Sequence, residues 1–361
     1  MSDQTTGPVC LEPGIYIGLP EEDYFAQRAL GSTDLKALYL DAESWWWDHH
    51  PNSALRKEET PESLARRADS RRIGSATHAC LLEGLEAYEA RFAVKPEKAD
   101  HPEALDTIEQ MKAWLGERGL KLSGSKLALM DRILEADPEA TFWNGIVDRA
   151  LAGRQVMYRN EDLRIRLMRR IIENDRALSE ELAHGVSEVS VLWQDPTTKM
   201  MHRARFDRAT LRGPWDLKTF TRRRNITPKT GALRRAQDEG WHIQAASYWE
   251  AWDLMPELPV FGGTAAEREM VERIQTNIAA GFGSSSFGWL FCPVNGAPSP
   301  LPLRLKRSGL ITVEGEKRVK EAKENYVAWT RIYGTDDPWI EVAGVQDIED
   351  EEEGYGFWRA A

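Results

Sequence analysis

The chain has 361 residues, 42% of them hydrophobic, with 14 Trp and a formal net charge of −11. That is ample material for one large core or two ordinary ones, and it excludes a disordered chain. Three scattered cysteines, Cys10, Cys80 and Cys292, exclude a disulfide framework, a zinc site built on cysteine and a four-cysteine iron–sulfur cluster. No apolar run of about 18 residues offers a membrane span, and Met1–Gly7 lacks a basic region followed by an apolar one. A cytoplasmic location is therefore expected.

In chain order, Ser32 is placed to cap a predicted helix over Thr33–Leu40. Trp45, Trp46 and Trp47 follow, with His49 and His50 beside them. Three consecutive Trp cannot share one helix face, and the segment reads as packing against the core rather than as a base-stacking platform. The polar, charged residues from Asn52 to Asp69 read as a mobile link. His78 falls on a predicted helix from Arg71 to Leu85, and helical periodicity recurs over Ala104–Leu115, Ser125–Ala136 and Asp162–Leu182.

The pattern then changes to alternation. Gly185–Trp193, Met200–Thr210 and, after a Gly-Pro turn, Gly213–Phe220 read as successive strands. A loop rich in Arg and Thr precedes predicted helices over Ala232–Leu254 and Ala265–Ala280. Gly281–Gly288 lacks the Lys-Ser/Thr ending of a nucleotide-binding loop and reads as a flexible connector. Phe287–Pro293 and Leu301–Lys306 form a predicted hairpin about Asn295-Gly296, and an amphipathic helix over Glu314–Tyr333 closes the fold. Strands in the middle with helices before and after give an α/β sandwich with a mixed central sheet. The expected organisation is a helical N-terminal segment with the mobile link over 1–69, a catalytic domain over 70–340, and a flexible acidic tail over 341–361.

Residues two apart on a strand share a face, so Arg205 and Asp207 point one way, and Asp216 and Lys218 do likewise. Neighbouring strands then bring Asp207, Asp216 and Lys218 to one strand end. Two carboxylates hold a hard, oxygen-seeking cation, and a lysine favours an attacking hydroxide and the developing negative charge, as phosphodiester hydrolysis requires. Ion pairs on a solvated meander satisfy the same pattern. Between Lys199 and Arg235 the only acids are Asp207 and Asp216, whereas Arg203, Arg205, Arg222, Arg223 and Arg224 stand among the bases. The most basic part of an acidic chain thus surrounds the candidate site, as phosphate neutralisation demands. The opposite charge gathers between Asp347 and Glu353, which reads as a solubilising tail.

The order Glu188, Asp207, Asp216-Leu217-Lys218 resembles the PD-(D/E)xK nuclease core in its RecE-type, exodeoxyribonuclease VIII-like branch of phages and prophages, and distantly lambda exonuclease. Gly74-Ser-Ala-Thr-His78 and Gln244-Ala-Ala-Ser-Tyr248 fit two further motifs of that branch. Ala29–Leu35 and Leu122–Lys126 resemble other recurrent segments, so the likeness runs from about Gly14 to about Trp339. The resemblance implies a restriction-endonuclease-like core with a helical N-terminal embellishment. It implies Mg²⁺, with Mn²⁺ able to substitute, held by Asp207, Asp216, the Leu217 carbonyl and His78. Asp216 departs from the commoner Glu at its position, which shortens the reach and keeps the charge.

In the same family reading Lys218 orients or deprotonates the attacking water. Glu188 binds a second metal or the water, or is a structural Glu at a strand edge. Gln244 and Tyr248, i and i+4 on one helix face, reach the scissile phosphate or the terminal base pair. The implied activity is exonucleolytic hydrolysis of double-stranded DNA for recombination in a bacterial host. The resemblance adds a homo-oligomeric ring that passes the strand to a single-strand annealing protein. An endonuclease on the same core is an alternative. So is a catalytically silent DNA-binding or inhibitor protein, against which the intact Asp207, Asp216 and Lys218 argue.

Overall fold

The structure, a computed structural model, describes residues 10–50, 52–55, 71–282 and 286–341. The acidic run at 347–353, most of the expected mobile link and the centre of the Gly281–Gly288 connector lie outside the described residues. Among the described residues no helix is long and apolar enough to cross a membrane.

The chain begins with β1 (Gly14–Ile17), α1 (Glu21–Ala26), β2 (Ala29–Leu30), α2 (Ser32–Leu40) and α3 (Ala42–His49). Next comes α4, described over 71–78, which runs into a π-helical turn at Ala79–Glu83. The elements α5 (Leu85–Arg91), β3 (Phe92–Val94), α6 (Ile108–Glu117), α7 (Lys126–Ala136), α8 (Trp143–Leu151), β4 (Gln155–Met157), α9 (Arg159–Asn174) and α10 (Arg176–Ala183) lead to the sheet. Its central strands are β5 (Gly185–Gln194), β6 (Met201–Thr210) and β7 (Gly213–Phe220). After them come α11 (Pro228–Asp238), α12 (Trp241–Leu254), β8 (Val260–Gly262), α13 (Ala265–Ala279), β9 (Ser286–Pro293), β10 (Leu301–Lys306) and α14 (Leu310–Tyr333).

The sheet runs β10-β9-β7-β6-β5-β1-β8, with β2 pairing in parallel to the start of β6. It is mixed: β7 and β9 are parallel, as are β1 and β8, and the other pairs on this path are antiparallel. This is the α/β architecture that the sequence implied. On one face, Val189, Val191, Phe206, Trp289 and Phe291 pack against α12 and α13. On the other, Trp215, Leu217, Leu290 and Cys292 pack against α4, α9 and α10. Helix α12 is buried nearly all round because α2 and α14 cover its outer side, through Leu35, Leu38, Val319 and Tyr326. The approach of α14 is so close that a Cβ on Gly315 would lie 2.3 Å from the His242 carbonyl oxygen. The N-terminal elements thus belong to this body, since β1 is a sheet strand and α2 an outer layer.

Several boundaries differ from those expected, each for a local reason. Gly31, not Ser32, is the cap residue of α2, and Asp34 Oδ2 accepts its N–H. The helix predicted over Ala104–Leu115 starts only after Thr107, whose hydroxyl and Gln110 form a reciprocal cap. The helix predicted over Asp162–Leu182 breaks at Asp175, whose carboxylate caps α10. The one predicted over Ala232–Leu254 breaks at Gly240, where φ is 62°, a left-handed conformation that glycine adopts without strain. The helix predicted over Arg71–Leu85 widens into the π turn and stops at Gly84. The Trp45–Trp47 run packs as expected, each indole N–H finding an acceptor, Asp34 Oδ1, Thr335 O and Trp339 O in turn.

Candidate active site

Strands β6 and β7 pair only over Arg208–Thr210 and Gly213–Trp215. Beyond Arg208 and Trp215 they part, and Asp207 reaches across the gap to accept the Leu217 N–H through Oδ2 at 2.6 Å. A carboxylate has taken the place of a ladder carbonyl. In extended backbone a residue's N–H and C=O leave the same edge, so the Leu217 carbonyl also faces this gap. The gap opens into a cavity of about 910 Å³ whose walls include His78, Glu188, Asp207, Asp216, Lys218 and Gln244.

Helices from both sides of the sheet close on it. From α12, Gln244 Nε2 donates to Asp216 Oδ1 at 2.9 Å, and Tyr248, one turn on, also lines the cavity. Lys218 Nζ lies 3.0 Å from Asp216 Oδ1 and 2.8 Å from Oδ2, and its ammonium stands over the Trp241 ring. The contact to Oδ2 is ionic rather than a directed hydrogen bond, so that buried oxygen has no hydrogen-bond donor. From α4, His78 Nε2 faces Glu188 Oε1 at 3.2 Å and Asp207 Oδ1 at 3.7 Å. The sequence-predicted set His78, Asp207, Asp216, Leu217, Lys218, Glu188, Gln244 and Tyr248 is therefore brought together around one opening.

Glu188 and Asp207 lie between the paired Ser187–Arg208 and Val189–Phe206 but drop out of the β5–β6 pairing, and Glu188 has φ of 54° in mid-strand. A non-glycine residue there is strained. The left-handed residue shifts the alternation of β5, so Val186 before it and Val189 after it face the same core. The Glu188 side chain is thereby free to turn to His78.

Electrostatics reflect this crowding. Burial presses the His78 ring to lose its proton, but Asp207, Glu83 and Glu188 outweigh it and raise its pKa to about 10. Burial, with Asp207 adding repulsion against the pull of Lys218, lifts Asp216 to about 6. Burial also raises Glu188. Asp207 ends below the usual carboxylate range, because His78, Lys218 and the Leu217 N–H overcome its burial. Two residues passed over in the sequence belong here. Lys36, lowered to about 8 by burial and then by the charge of Lys218, lies along Gly240 at the head of α12. Glu83 lies against His78 Nδ1 at 3.3 Å. No sequence signal marked either, since Glu83 is five residues from His78 and Lys36 lies far from the strands.

The expected DNA-contacting arginines divide. Arg203 donates to the carbonyls of Tyr24, Phe25 and Gln27. Arg205 donates to Ser190 Oγ and Leu19 O, beneath the Tyr24 ring. Both line the cavity while holding α1 against the sheet. Arg222 is fastened to the β9–β10 connection through Asn295 and Ser299, whereas Arg223 and Arg224 are exposed.

The donor set suits a hard divalent cation. Asp207, Asp216 and the Leu217 carbonyl offer oxygens, and Asp216 Oδ2 is buried without a hydrogen-bond partner. His78 Nε2, likewise buried and unpartnered, would become a ligand atom once a cation displaces its proton. His78, Glu83 and Glu188 also each offer a donor atom, all within 4.8 Å of one another.

No protein-family model matches the sequence, and no curated protein is similar to it at a significant level. The backbone is similar to that of a solved protein from Eubacterium rectale described as a "Putative exonuclease", with a TM-score of 0.41 and 12% identity over 86% of this chain and 88% of that one. A likeness at that level leaves the function to be argued from the chemistry of the cavity.

Proposed function

We propose that the chain is a metal-dependent deoxyribonuclease, and that it shortens double-stranded DNA from an end. The observation that carries this reading is the parted β6–β7 pair, which sets Asp207, Asp216 and Lys218 around one cavity with His78 and Gln244. Asp207, Asp216, the Leu217 carbonyl and His78 would hold Mg²⁺, with Mn²⁺ as a substitute. When bound, such a cation polarises the phosphodiester and lowers the pKa of water. Lys218, fixed on Asp216, turns its ammonium to the attacking oxygen and to the charge that develops on the phosphate. Gln244 keeps Asp216 from rotating away, and Tyr248 walls the cavity beside it.

The preference for ends rests on the Gly74–His78 and Gln244–Tyr248 motifs, which both reach this cavity. A cyclic homo-oligomer, hand-over to a single-strand annealing protein, and a recombination role in the bacterial cytoplasm extend the same reading. The test incubates end-labelled linear duplex and covalently closed circles with the full chain, with and without Mg²⁺. Progressive shortening of the linear form alone, only with Mg²⁺, is expected. Rapid nicking of closed circles moves the reading to an endonuclease, and no cleavage of either form overturns it.

A further inference from the structure

An α-helix turns about 100° per residue, so a side chain five positions on points roughly 140° away from the first. The π turn after α4 changes this. Gly84 N donates to Ala79 O at 2.9 Å, an i to i+5 bond, and the widened turn brings Glu83 back beneath His78. Its Oε1 lies 3.3 Å from His78 Nδ1, while Arg91 Nη2 holds the same oxygen at 2.7 Å. The turn is pinned from outside. Leu82 O accepts from Ser187 Oγ and Arg208 Nη1, and Cys80 O from Arg169 Nη1. Single-turn π insertions of this kind recur at functional sites.

The two nitrogens of an imidazole point apart, and here they face different groups. Nδ1 meets Glu83, and Nε2 meets Glu188 and Asp207. We propose that Glu83 is a positioning residue: by holding the Nδ1 hydrogen it turns His78 so that Nε2 is the atom presented to a cation on Asp207. The proposal rests on the metal-site reading above. A ring hydrogen-bonded in this way is fixed in orientation and more basic at its other nitrogen, and losing the partner typically lowers metal affinity roughly 10–100-fold. Glu83 is not a co-ligand with Nε2, because it occupies the other side of the ring and shares its oxygen with Arg91.

Two measurements on the full chain test this. In the metal-free protein, nitrogen-resolved NMR should show a slowly exchanging His78 Nδ1 hydrogen, lost in Glu83→Ala and kept in Glu83→Gln, which retains an acceptor. In calorimetric titration with Mn²⁺, Glu83→Ala should bind about tenfold or more weakly, with Glu83→Gln close to the parent. Parental affinity in Glu83→Ala, or a surviving Nδ1 hydrogen, overturns the proposal alone. A parent chain that takes up no Mn²⁺ overturns the metal site, and this inference with it.

Discussion

The cavity cluster and a second buried cluster, between the β5–β6 turn, α12 and α14, are built from the same residue types. Each has paired acids, a lysine and a histidine, and β6 contributes to both. In the second, Lys323 Nζ lies 2.6 Å from Asp195 Oδ2 and 2.8 Å from Glu250 Oε2. Asp195 Oδ1 accepts from the Thr197 and Thr198 N–H groups and the Thr198 hydroxyl, and Thr198 Oγ1 lies 3.0 Å from His202 Nε2. The histidines shift in opposite directions. His78 is raised to about 10 among three carboxylates, whereas burial lowers His202 to about 4, with Lys323 adding to the fall against Asp195. Where a lysine already joins the two acids, the histidine stays neutral and every carboxylate oxygen is matched, with only His202 Nδ1 left without a partner. Where the strands part and acids outreach their cations, donor atoms remain unused. Composition does not separate a structural cluster from a reactive one; closure does.

Substitutions should therefore act on different quantities in the two places. Lys218→Ala should slow DNA cleavage by roughly 10²–10³-fold, the usual scale for losing one donor positioned at developing charge, with the fold intact. Asp207→Ala and Asp216→Ala should be at least as severe, and Asp216→Ala should leave the metal-free chain as stable as the parent or more so, because a buried, repelled acid is gone. Near-parental cleavage by any of the three would falsify the site assignment. Lys323→Met should do the reverse. It strands Asp195 and Glu250, and breaking a buried pair costs about 3–5 kcal/mol, read as a lower urea midpoint. Whatever fraction remains folded should cleave at the parental rate. A large activity loss without a stability loss would erase the distinction.

The same contrast predicts a pH dependence. His202 has a folded pKa below its usual 6.5, so its contribution is complete above about pH 6.5 and is lost as pH falls towards about 4. A depression of that size corresponds to about 3 kcal/mol at most. Asp216, raised to about 6, acts with opposite sign in the metal-free chain: the native state takes up its proton first, so stability rises as pH falls through 6. The parent's profile adds these to the other shifted groups, His78 and Glu188 among them. His202→Phe cannot titrate, and between about pH 7 and 4.5 it should lose less stability than the parent. Parallel unfolding curves for the two proteins at each pH would remove His202 from the account.

Much of this contrast was hidden in the sequence. The three strands and the Asp207, Asp216, Lys218 set were legible because strand alternation fixes faces and the Gly-Pro turn fixes where β7 begins. His78, Gln244 and Tyr248 came from family motifs, not from periodicity. What sequence could not show is geometry that departs from ideal elements. The π turn that joins Glu83 to His78, the left-handed Glu188, and the parting of β6 from β7 all break the periodicities on which such reading depends. Local competition moved the helix boundaries: Asp175 prefers to cap and Gly240 to turn, so two long predicted helices became four. Asp195 and Lys323 lie 128 positions apart, and no local pattern pairs them.

The weakest expected effect concerns charge outside both clusters. Replacing Arg222, Arg223 and Arg224 by Gln should weaken DNA binding and flatten its salt dependence, since each phosphate that no longer meets a cation lowers the slope of log K against log salt by about 0.9. The three residues are not equivalent in the fold. Arg222 gives its backbone N–H to Asn295 Oδ1 and its guanidinium to Ser299 O, so it fastens the chain after β7 to the β9–β10 connection. Arg223 and Arg224 are exposed beyond that anchor. The double substitution Arg223→Gln with Arg224→Gln should therefore account for nearly the whole slope change, about 2 if each meets one phosphate. Arg222→Gln alone should leave the slope near the parental value and lower the unfolding midpoint slightly. Binding titrations on a short duplex without Mg²⁺, at several salt concentrations, read all of this directly. A slope carried mainly by Arg222 would mean that its anchoring hydrogen bonds give way to DNA, and an unchanged slope in the triple variant would place the DNA track elsewhere on the protein.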